Sequence, residues 1–206
     1  MECKAYLDNP CKASSLPFWK TNAMEIPKGI RILLDEDLQS VDTDEYTDEK
    51  YFKLIHRLNG VERPLLDSDF RMVSADVLEY VKHIEECYDD IGISFEELTR
   101  YKFHEVYDSS LWVAVKSCDD NRIVASGIAE LDTFIKEGIL EWIQVSKDYR
   151  GKGLGKFIVK ELLWRMKGKA DFVTVSGKVD NSSNPKVLYE SCGFADGEIW
   201  HILTRR

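Results

Sequence analysis

Short apolar runs, separated by charged stretches and by glycine or proline, form the hydrophobic pattern of the 206-residue chain. Runs rich in β-branched and aromatic residues predict strands, and apolar residues three and four positions apart predict helices. The predicted strands are 30–34, 70–73, 111–116, 123–131, 139–145, 172–176 and 199–203, and the predicted helices are 48–58, 75–88, a helix starting at 94, 153–167 and 186–192. This alternation indicates an α/β domain built on one sheet with helices on its faces.

Local signals set some of the boundaries. Ser94 is followed three residues later by Glu97, the spacing of a helix-opening capping box. The polar residues 119–121 lie between two predicted strands and predict a hairpin. Residues 1–28 contain Pro10, Pro17 and Pro27, and we expect them to be irregular.

Composition excludes several classes of protein. The chain is 44% hydrophobic, and no apolar run approaches the ~18 residues of a membrane span. The N-terminus lacks the pattern of a secretory signal. Five scattered cysteines without a CxxC pair are typical of reduced thiols in the cytoplasm. The net charge of −9 argues against a nucleic-acid partner. We therefore expect a cytoplasmic protein that binds neither nucleic acid nor membrane.

Charge is unevenly distributed along the chain. Positions 35–49 carry eight carboxylates and no Lys or Arg. Such a segment is either a solvated surface or a surface that attracts cationic amines. Basic residues gather instead at positions 147–160, where they provide the local positive charge that an anion site in an acidic protein needs.

The most informative segment joins the strand 139–145 to the helix 153–167. Its glycines stand at alternate positions, with basic residues between and beside them: Arg150, Gly151, Lys152, Gly153, Gly155 and Lys156. Glycines let the backbone approach an anion closely. A helix N-terminus aims unpaired N–H groups at it. The alternative is an ordinary glycine-rich turn with surface lysines.

Two nucleotide-binding fingerprints fit this segment poorly. An NTPase phosphate loop needs G-x-x-x-x-G-K-[ST], which is not present. A dinucleotide fingerprint needs G-x-G-x-x-G with an acidic residue after the next strand. Here the third glycine comes one residue early, and Asp171 precedes the next strand.

The sequence Arg-Gly-Lys-Gly-Leu-Gly at 150–155 instead resembles the [QR]-x-x-G-x-[GA] loop of the GNAT superfamily of acyl-CoA-dependent N-acetyltransferases. Residues 181–194, which open with Asn181 and end in Gly193-Phe194, are similar to the second signature of that family. The resemblance covers roughly 70–203. It implies a GNAT domain at 67–206 with a mixed, mostly antiparallel sheet that splays between its two central strands. Residues 1–66 would be an N-terminal extension, and a candidate surface for homodimerisation.

The resemblance also implies a coenzyme site. The loop and helix start would bind the pyrophosphate of coenzyme A, and the edge of the preceding strand would bind the pantetheine arm. The residues expected to bind the pyrophosphate are Arg150, Gly151, Lys152, Gly153, Leu154, Gly155 and Lys156. Those expected to bind the pantetheine arm are Ile143, Gln144 and Val145. Asn181 would also contact the coenzyme, with Asn184 as the alternative.

Three residues are candidates for catalysis. The acceptor amine must lose a proton, because an alkyl ammonium with a pKa of ~10.4 is almost fully charged near neutral pH. Glu141, on the strand beside the reacting centre, is the first candidate base, and Glu130 is the second. Either could instead be a surface carboxylate. Tyr189 matches the family position that protonates the departing thiolate, and a core tyrosine is the alternative.

The sequence thus predicts transfer of an acetyl group from acetyl-CoA to a primary amine, by direct attack in a ternary complex. The acceptor would be a small cationic amine or a protein amine. The alternative is a non-catalytic acyl-CoA-binding module. No metal is expected, because His83 and Cys87 are one helical turn apart without a third ligand.

Overall fold

The structure, a computed structural model, describes residues 1–21, 23, 25–42, 44–89 and 91–206. The helices are α1 (Cys3–Asp8), α2 (Pro10–Ala13), α3 (Phe18–Thr21), α4 (Val77–Cys87), α5 (Phe95–Arg100), α6 (Leu154–Met166) and α7 (Pro185–Ser191). The strands are β1 (Ile30–Leu34), β2 (Tyr46–His56), β3 (Phe70–Val73), β4 (Trp112–Ser117), β5 (Ile123–Asp132), β6 (Glu137–Val145), β7 (Phe172–Lys178) and β8 (Ala195–Arg205). The α/β class is therefore confirmed.

The chain forms two compact units. The first unit joins residues 1–57 to residues 172–206. Its strands follow the order β1-β8-β2-β7, and every pair is antiparallel. β2 pairs on both sides, so its second half, from Phe52 to the end of the strand, is buried.

The prediction of a helix at 48–58 is wrong, because most of this segment belongs to strand β2. Its apolar residues Tyr51, Phe52, Leu54 and Ile55 have the spacing of one helix face. A strand that is buried on both faces shows no alternation, and periodicity alone cannot distinguish it from a buried helix. Pairing with β7 and β8 decides the conformation.

The N-terminal segment is more regular than predicted, since three short helices replace the irregular chain expected at 1–28. Two contacts anchor it. Lys53 on β2 is 2% exposed, and its ammonium donates to the Tyr6 hydroxyl at 3.0 Å and to the carbonyl oxygens of Ser14 and Leu16 at 2.9 and 2.8 Å. The indole of Trp200 on β8 donates to the Cys11 carbonyl at 2.9 Å.

The second unit, residues 58–171, contains the order β6-β5-β4-β3, again with antiparallel pairs only. The predicted β4–β5 hairpin is confirmed, and Ser94 caps α5 in a capping box with Glu97. A second capping box, between Asp76 and Glu79, opens α4 two residues later than predicted. The apolar faces of α4 and α5 pack on β4 and β5 in one core cluster.

Helix α6 packs on β5 at Gly127. A Cβ at this position would lie 2.4 Å from Ile158 Cγ2 and 3.0 Å from Leu162 Cδ1. Only a glycine therefore allows α6 to approach the strand at this distance.

No helix in the described ranges is both long and apolar enough to cross a membrane. The domain boundary near residue 66 stays a prediction.

Candidate acetyl-coenzyme site

The predicted anion loop follows β6 and a single 3-10 turn at Lys147–Tyr149. Gly151 and Gly153 have φ angles of +79° and +78°, the left-handed region that favours glycine. A Cβ on either residue would have no heavy atom within 4 Å. Backbone conformation, not lack of space, thus explains both glycines, and the space beside them is open.

The N-terminus of α6 lacks a side-chain cap. Its N-cap is Gly153, which has no side chain to bond to the free N–H groups, and the first turn contains no acidic residue. This differs from α4 and α5, where Asp76 and Ser94 occupy the equivalent groups. Uncapped N–H groups and the positive end of the helix dipole favour an anion at this end.

The cations around the loop are solvent-exposed. Arg150, Lys152 and Lys156 are all exposed. Arg150 Nε donates to the Val145 carbonyl at 3.3 Å. Lys152 Nζ lies 4.9 Å from the centre of the Tyr149 ring, and the hydroxyl of that tyrosine donates to Asp120 at 3.2 Å. These contacts involve Arg150 and Lys152, the two cations that directly precede the start of α6.

Strand β6 contains a bulge beside the predicted reacting centre. Ile128 pairs with Trp142 and Ala129 pairs with Leu140, so Glu141 is the extra residue. Residues 137–140 are buried, whereas residues 141–143 are only half-buried. A bulge redirects backbone groups locally and is common next to active sites. Residues 141–143 are therefore more accessible than the first four residues of β6.

The predicted pantetheine-binding residues have different environments. The hydroxyl of Tyr88, just after α4, donates to the Ile143 carbonyl at 3.0 Å, so this carbonyl is engaged. The Gln144 side chain is buried and donates to the Ser126 hydroxyl, while its Oε1 has no hydrogen-bond partner in the described part of the chain. Val145 is half-buried. The Gln144 side chain is therefore directed into the protein, toward Ser126 on β5.

A buried polar network lies behind β6. His83 on α4 is 2% exposed, with Nδ1 2.8 Å from the Ser126 hydroxyl and Nε2 3.1 Å from the Ser146 hydroxyl. Burial lowers the pKa of His83 to about 4. Burial also raises the pKa of the neighbouring Cys87 thiol to about 11. Both groups are neutral near pH 7, so the network supports β6 and is unsuited to take a proton from an amine.

The two candidate bases have different surroundings. Glu141 is half-buried on the bulge. Glu130 on β5 is 3% exposed, and its carboxylate lies 3.3 Å from His104 Nδ1. His104 is not among the site residues predicted from the sequence, because 26 residues separate it from Glu130 and no motif connects the two. A carboxylate that orients an imidazole is a common acid–base arrangement. Glu130 is thus better suited to orient His104 than to act alone.

Tyr189, Asn181 and Asn184 belong to the first unit, whereas the loop, β6 and both glutamates belong to the second. Tyr189 on α7 is 7% exposed, and its ring packs on Phe52 and Phe194 at centroid distances of 6.1 and 5.7 Å. The Asn181 side chain accepts hydrogen bonds from the Ser183 amide and hydroxyl at 2.9 and 2.7 Å. Asn184 is the exposed N-cap of α7, with φ +46°.

Close packing and backbone conformation both require a glycine at position 193, in the second signature. Gly193 has φ +99°, and a Cβ there would lie 2.9 Å from His56 Nε2. The His56 ring also packs against Phe194 at 5.3 Å, and burial lowers the pKa of this histidine. Within the described residues, no group of three or more His, Cys, Asp and Glu side chains is placed to hold a metal ion.

Residues 107–196 match the family model of the acetyltransferase (GNAT) domain. The match includes the α6 loop and the segment that carries Tyr189. This stretch of the chain is a GNAT domain. No curated protein matches the chain.

Solved structures share the GNAT fold at low sequence identity. A GCN5-related N-acetyltransferase from Sphaerobacter thermophilus is 16% identical, with a TM-score of 0.70 over 86% of this chain and 58% of that one. A GNAT-family acetyltransferase from Colwellia psychrerythraea is 14% identical, with a TM-score of 0.58 over 85% of this chain and 64% of that one. The chain thus spans less than two thirds of the length of either protein.

Proposed function

We propose that the chain is an N-acetyltransferase that moves an acetyl group from acetyl-CoA to a primary amine in a ternary complex. The observation that carries this proposal is the uncapped N-terminus of α6, behind two left-handed glycines and within the GNAT domain. A helix start of this kind is suited to a pyrophosphate. The residues present therefore fit the coenzyme.

In this proposal the loop amides at 150–156 hold the pyrophosphate, and Arg150, Lys152 and Lys156 add positive charge. The backbone at 143–145 holds the pantetheine arm through groups other than the engaged Ile143 carbonyl. An N–H of the bulged strand stabilises negative charge on the thioester oxygen during attack. Asn181 or Asn184 supplies a further coenzyme contact.

Two side chains would move protons. Glu141 takes a proton from the acceptor ammonium, so that the neutral nitrogen can attack the thioester carbonyl. The C–N bond forms, the C–S bond breaks, and Tyr189 donates its phenolic proton to the departing thiolate. The acylated nitrogen then releases its second proton, which restores the phenol, so that the products are the neutral amide and the free thiol of the coenzyme. His104, oriented by Glu130, is the second candidate base, because their contact joins an imidazole to a buried carboxylate.

The acceptor would be a small cationic amine or a protein amine, since the chain carries a net charge of −9. The same charge argues against a nucleic-acid partner. We also propose a cytoplasmic location, consistent with five cysteines that are all thiols. Homodimerisation through residues 1–66 stays a proposal.

A first experiment measures coenzyme binding and turnover. Acetyl-CoA should raise the melting temperature of the purified protein, and a panel of amines should identify an acceptor by the release of free thiol. Absence of both stabilisation and saturable binding would overturn the proposal. Stabilisation without turnover for any amine would instead favour the non-catalytic acyl-CoA-binding module.

Variants then assign the proton-transfer roles. Glu141→Gln should lower kcat about 10²-fold or more near pH 7, with the KM for acetyl-CoA unchanged, because the base acts on the amine. The deficit should shrink at higher pH, where the amine is neutral in solution. If Glu141→Gln is active and His104→Gln shows this behaviour, His104 is the base. Tyr189→Phe should lower kcat while keeping coenzyme affinity.

A further inference from the structure

A second group of cations surrounds a pocket at the C-terminal end of α6. The pocket has a volume of about 410 Å³. Four basic residues line it together with a serine, a tryptophan and one acid: Arg63, Arg165, Lys167, Lys169, Ser110, Trp164 and Glu161. All seven belong to the second compact unit. Basic residues therefore dominate the charged lining of this pocket, although the whole chain has a net charge of −9.

Two of these cations are neutralised by carboxylates. Arg165 Nε donates to Glu161, which is 1% exposed, at 2.8 Å, and Arg165 Nη1 donates to the Ser110 carbonyl at 2.6 Å. Lys169 Nζ donates to Asp108 at 2.8 Å and to the Ser110 hydroxyl at 3.1 Å. Burial acts to raise the pKa of Asp108, but the hydrogen bonds from Lys169 and Ser110 outweigh it and hold that pKa below its usual range.

The other two cations have no carboxylate partner among the residues that the structure describes. The Arg63 guanidinium lies over the Trp164 ring at 4.6 Å. Lys167 Nζ donates to the Val61 carbonyl at 2.9 Å. Both side chains are exposed, and a stacked guanidinium keeps its N–H groups available at the edge. Four cations against Glu161 and Asp108 leave a local charge of about +2 by simple charge counting.

Local chain geometry brings these residues together. α6 ends in a turn at Gly168, with φ +79°, where the amides of Lys169 and Ala170 both donate to the Met166 carbonyl at 2.9 Å. The turn places Lys167 and Lys169 beside the helix end. Cations there also interact favourably with the helix dipole. That effect does not account for Arg63, which comes from a segment about 100 residues earlier and is held by Trp164.

We propose that this pocket binds a small dianion, either inorganic phosphate or the phosphate group of a small monoester. A dianion matches the unpaired charge, and Arg63 can bond to two phosphate oxygens at once while Lys167 acts as a point charge. The site is distinct from the coenzyme loop, because the 13 residues of α6 separate the two ends by about 20 Å. It does not depend on acetyl transfer.

NMR tests the proposal through the indole N–H of Trp164, assigned with the variant Trp164→Phe. Inorganic phosphate should shift this signal saturably at millimolar concentration. The double variant Arg63→Gln/Lys167→Gln should bind about tenfold more weakly or worse, because two charge-assisted contacts are lost. Lys82→Gln/Lys102→Gln, which removes two exposed lysines elsewhere in the same unit, is the charge-matched control and should bind normally.

A hexose phosphate and the unphosphorylated hexose separate the two sources of the phosphate group. Equal affinity for phosphate and the ester indicates free phosphate, and tighter binding of the ester indicates a phosphorylated small molecule. No saturable shift, or equal weakening in the double variant and its control, overturns the proposal. Should the double variant unfold, the exposed Arg63→Gln replacement alone provides the comparison.

Discussion

At the scale of single residues, buried polar groups distinguish support from chemistry. His83 and Cys87 are one helical turn apart, as the sequence indicated, yet the structure surrounds His83 with the hydroxyls of Ser126 and Ser146. The pKa of His83 is about 4 and that of the Cys87 thiol is about 11, so both side chains are neutral near pH 7. His104 acquires a candidate role only through its contact with Glu130. Such pairings join distant positions, so the sequence could not reveal them.

We expect His83 to make the protein less stable as the pH falls. Its pKa is about 4 in the folded chain and ~6.5 when unfolded, so between these values the unfolded chain binds more protons. The contribution of neutral His83 to the free energy of unfolding is present above the unfolded pKa and is lost as the pH falls toward the folded pKa. Between pH 7 and pH 5 this loss should be about 2 kcal/mol. Urea unfolding at both pH values measures the change.

The variant His83→Gln is the control for that pH dependence, because glutamine can still bond to the serines but does not titrate. Its loss of stability between pH 7 and pH 5 should be smaller by the same about 2 kcal/mol. An identical loss in both proteins would assign the pH dependence to other groups.

At the scale of helices and strands, the sequence predicted most elements where local signals agree. The capping box at Ser94, the β4–β5 hairpin and the strand-loop-helix around Gly153 are all present. The helix predicted at 48–58 was wrong because the apolar spacing there fits a helix, whereas pairing with β7 and β8 makes residues 46–56 a strand. Long-range pairing overrides local propensity there.

Gly153 at the start of α6 allows a matched test of the loop. Gly153→Ala and Gly60→Ala both place a Cβ in a left-handed backbone, φ +78° and +66°, with no atom within 4 Å. Each should cost about 1–2 kcal/mol of stability through strain. Only Gly153→Ala should weaken acetyl-CoA binding, by about tenfold, in isothermal titration calorimetry. Equal affinities in the two variants would contradict a coenzyme site at this loop.

At the scale of the whole molecule, the first compact unit combines the two ends of the chain. Motifs identified the region around the loop and Tyr189, which lies within the matched segment 107–196. Nothing local indicated that Lys53, in a segment predicted as a helix, would be buried against residues near the N-terminus. A buried lysine is rare, and its partners come from residues 37 to 47 positions away.

Lys53→Met should loosen the N-terminal segment. The replacement preserves much of the side-chain volume but removes the hydrogen bonds to Tyr6, Ser14 and Leu16. Amide hydrogen exchange in residues 1–21 should become about tenfold faster or more, since local opening costs less free energy. Lys50→Met, an exposed lysine on the same strand, should leave exchange unchanged. Unaltered exchange in Lys53→Met would show that other contacts hold the segment.

The contact between Gly127 and α6 affects how mutational tolerance in this protein should be interpreted. A Cβ on Gly127 would lie 2.4 Å from Ile158, on the helix whose N-terminus adjoins the anion loop. Any larger residue at this position moves the helix or strains the strand. A saturation screen for activity would therefore mark position 127 as intolerant, although the residue has no side chain to offer a substrate. Intolerance there would reflect the distance between a strand and a helix, not participation in the chemistry.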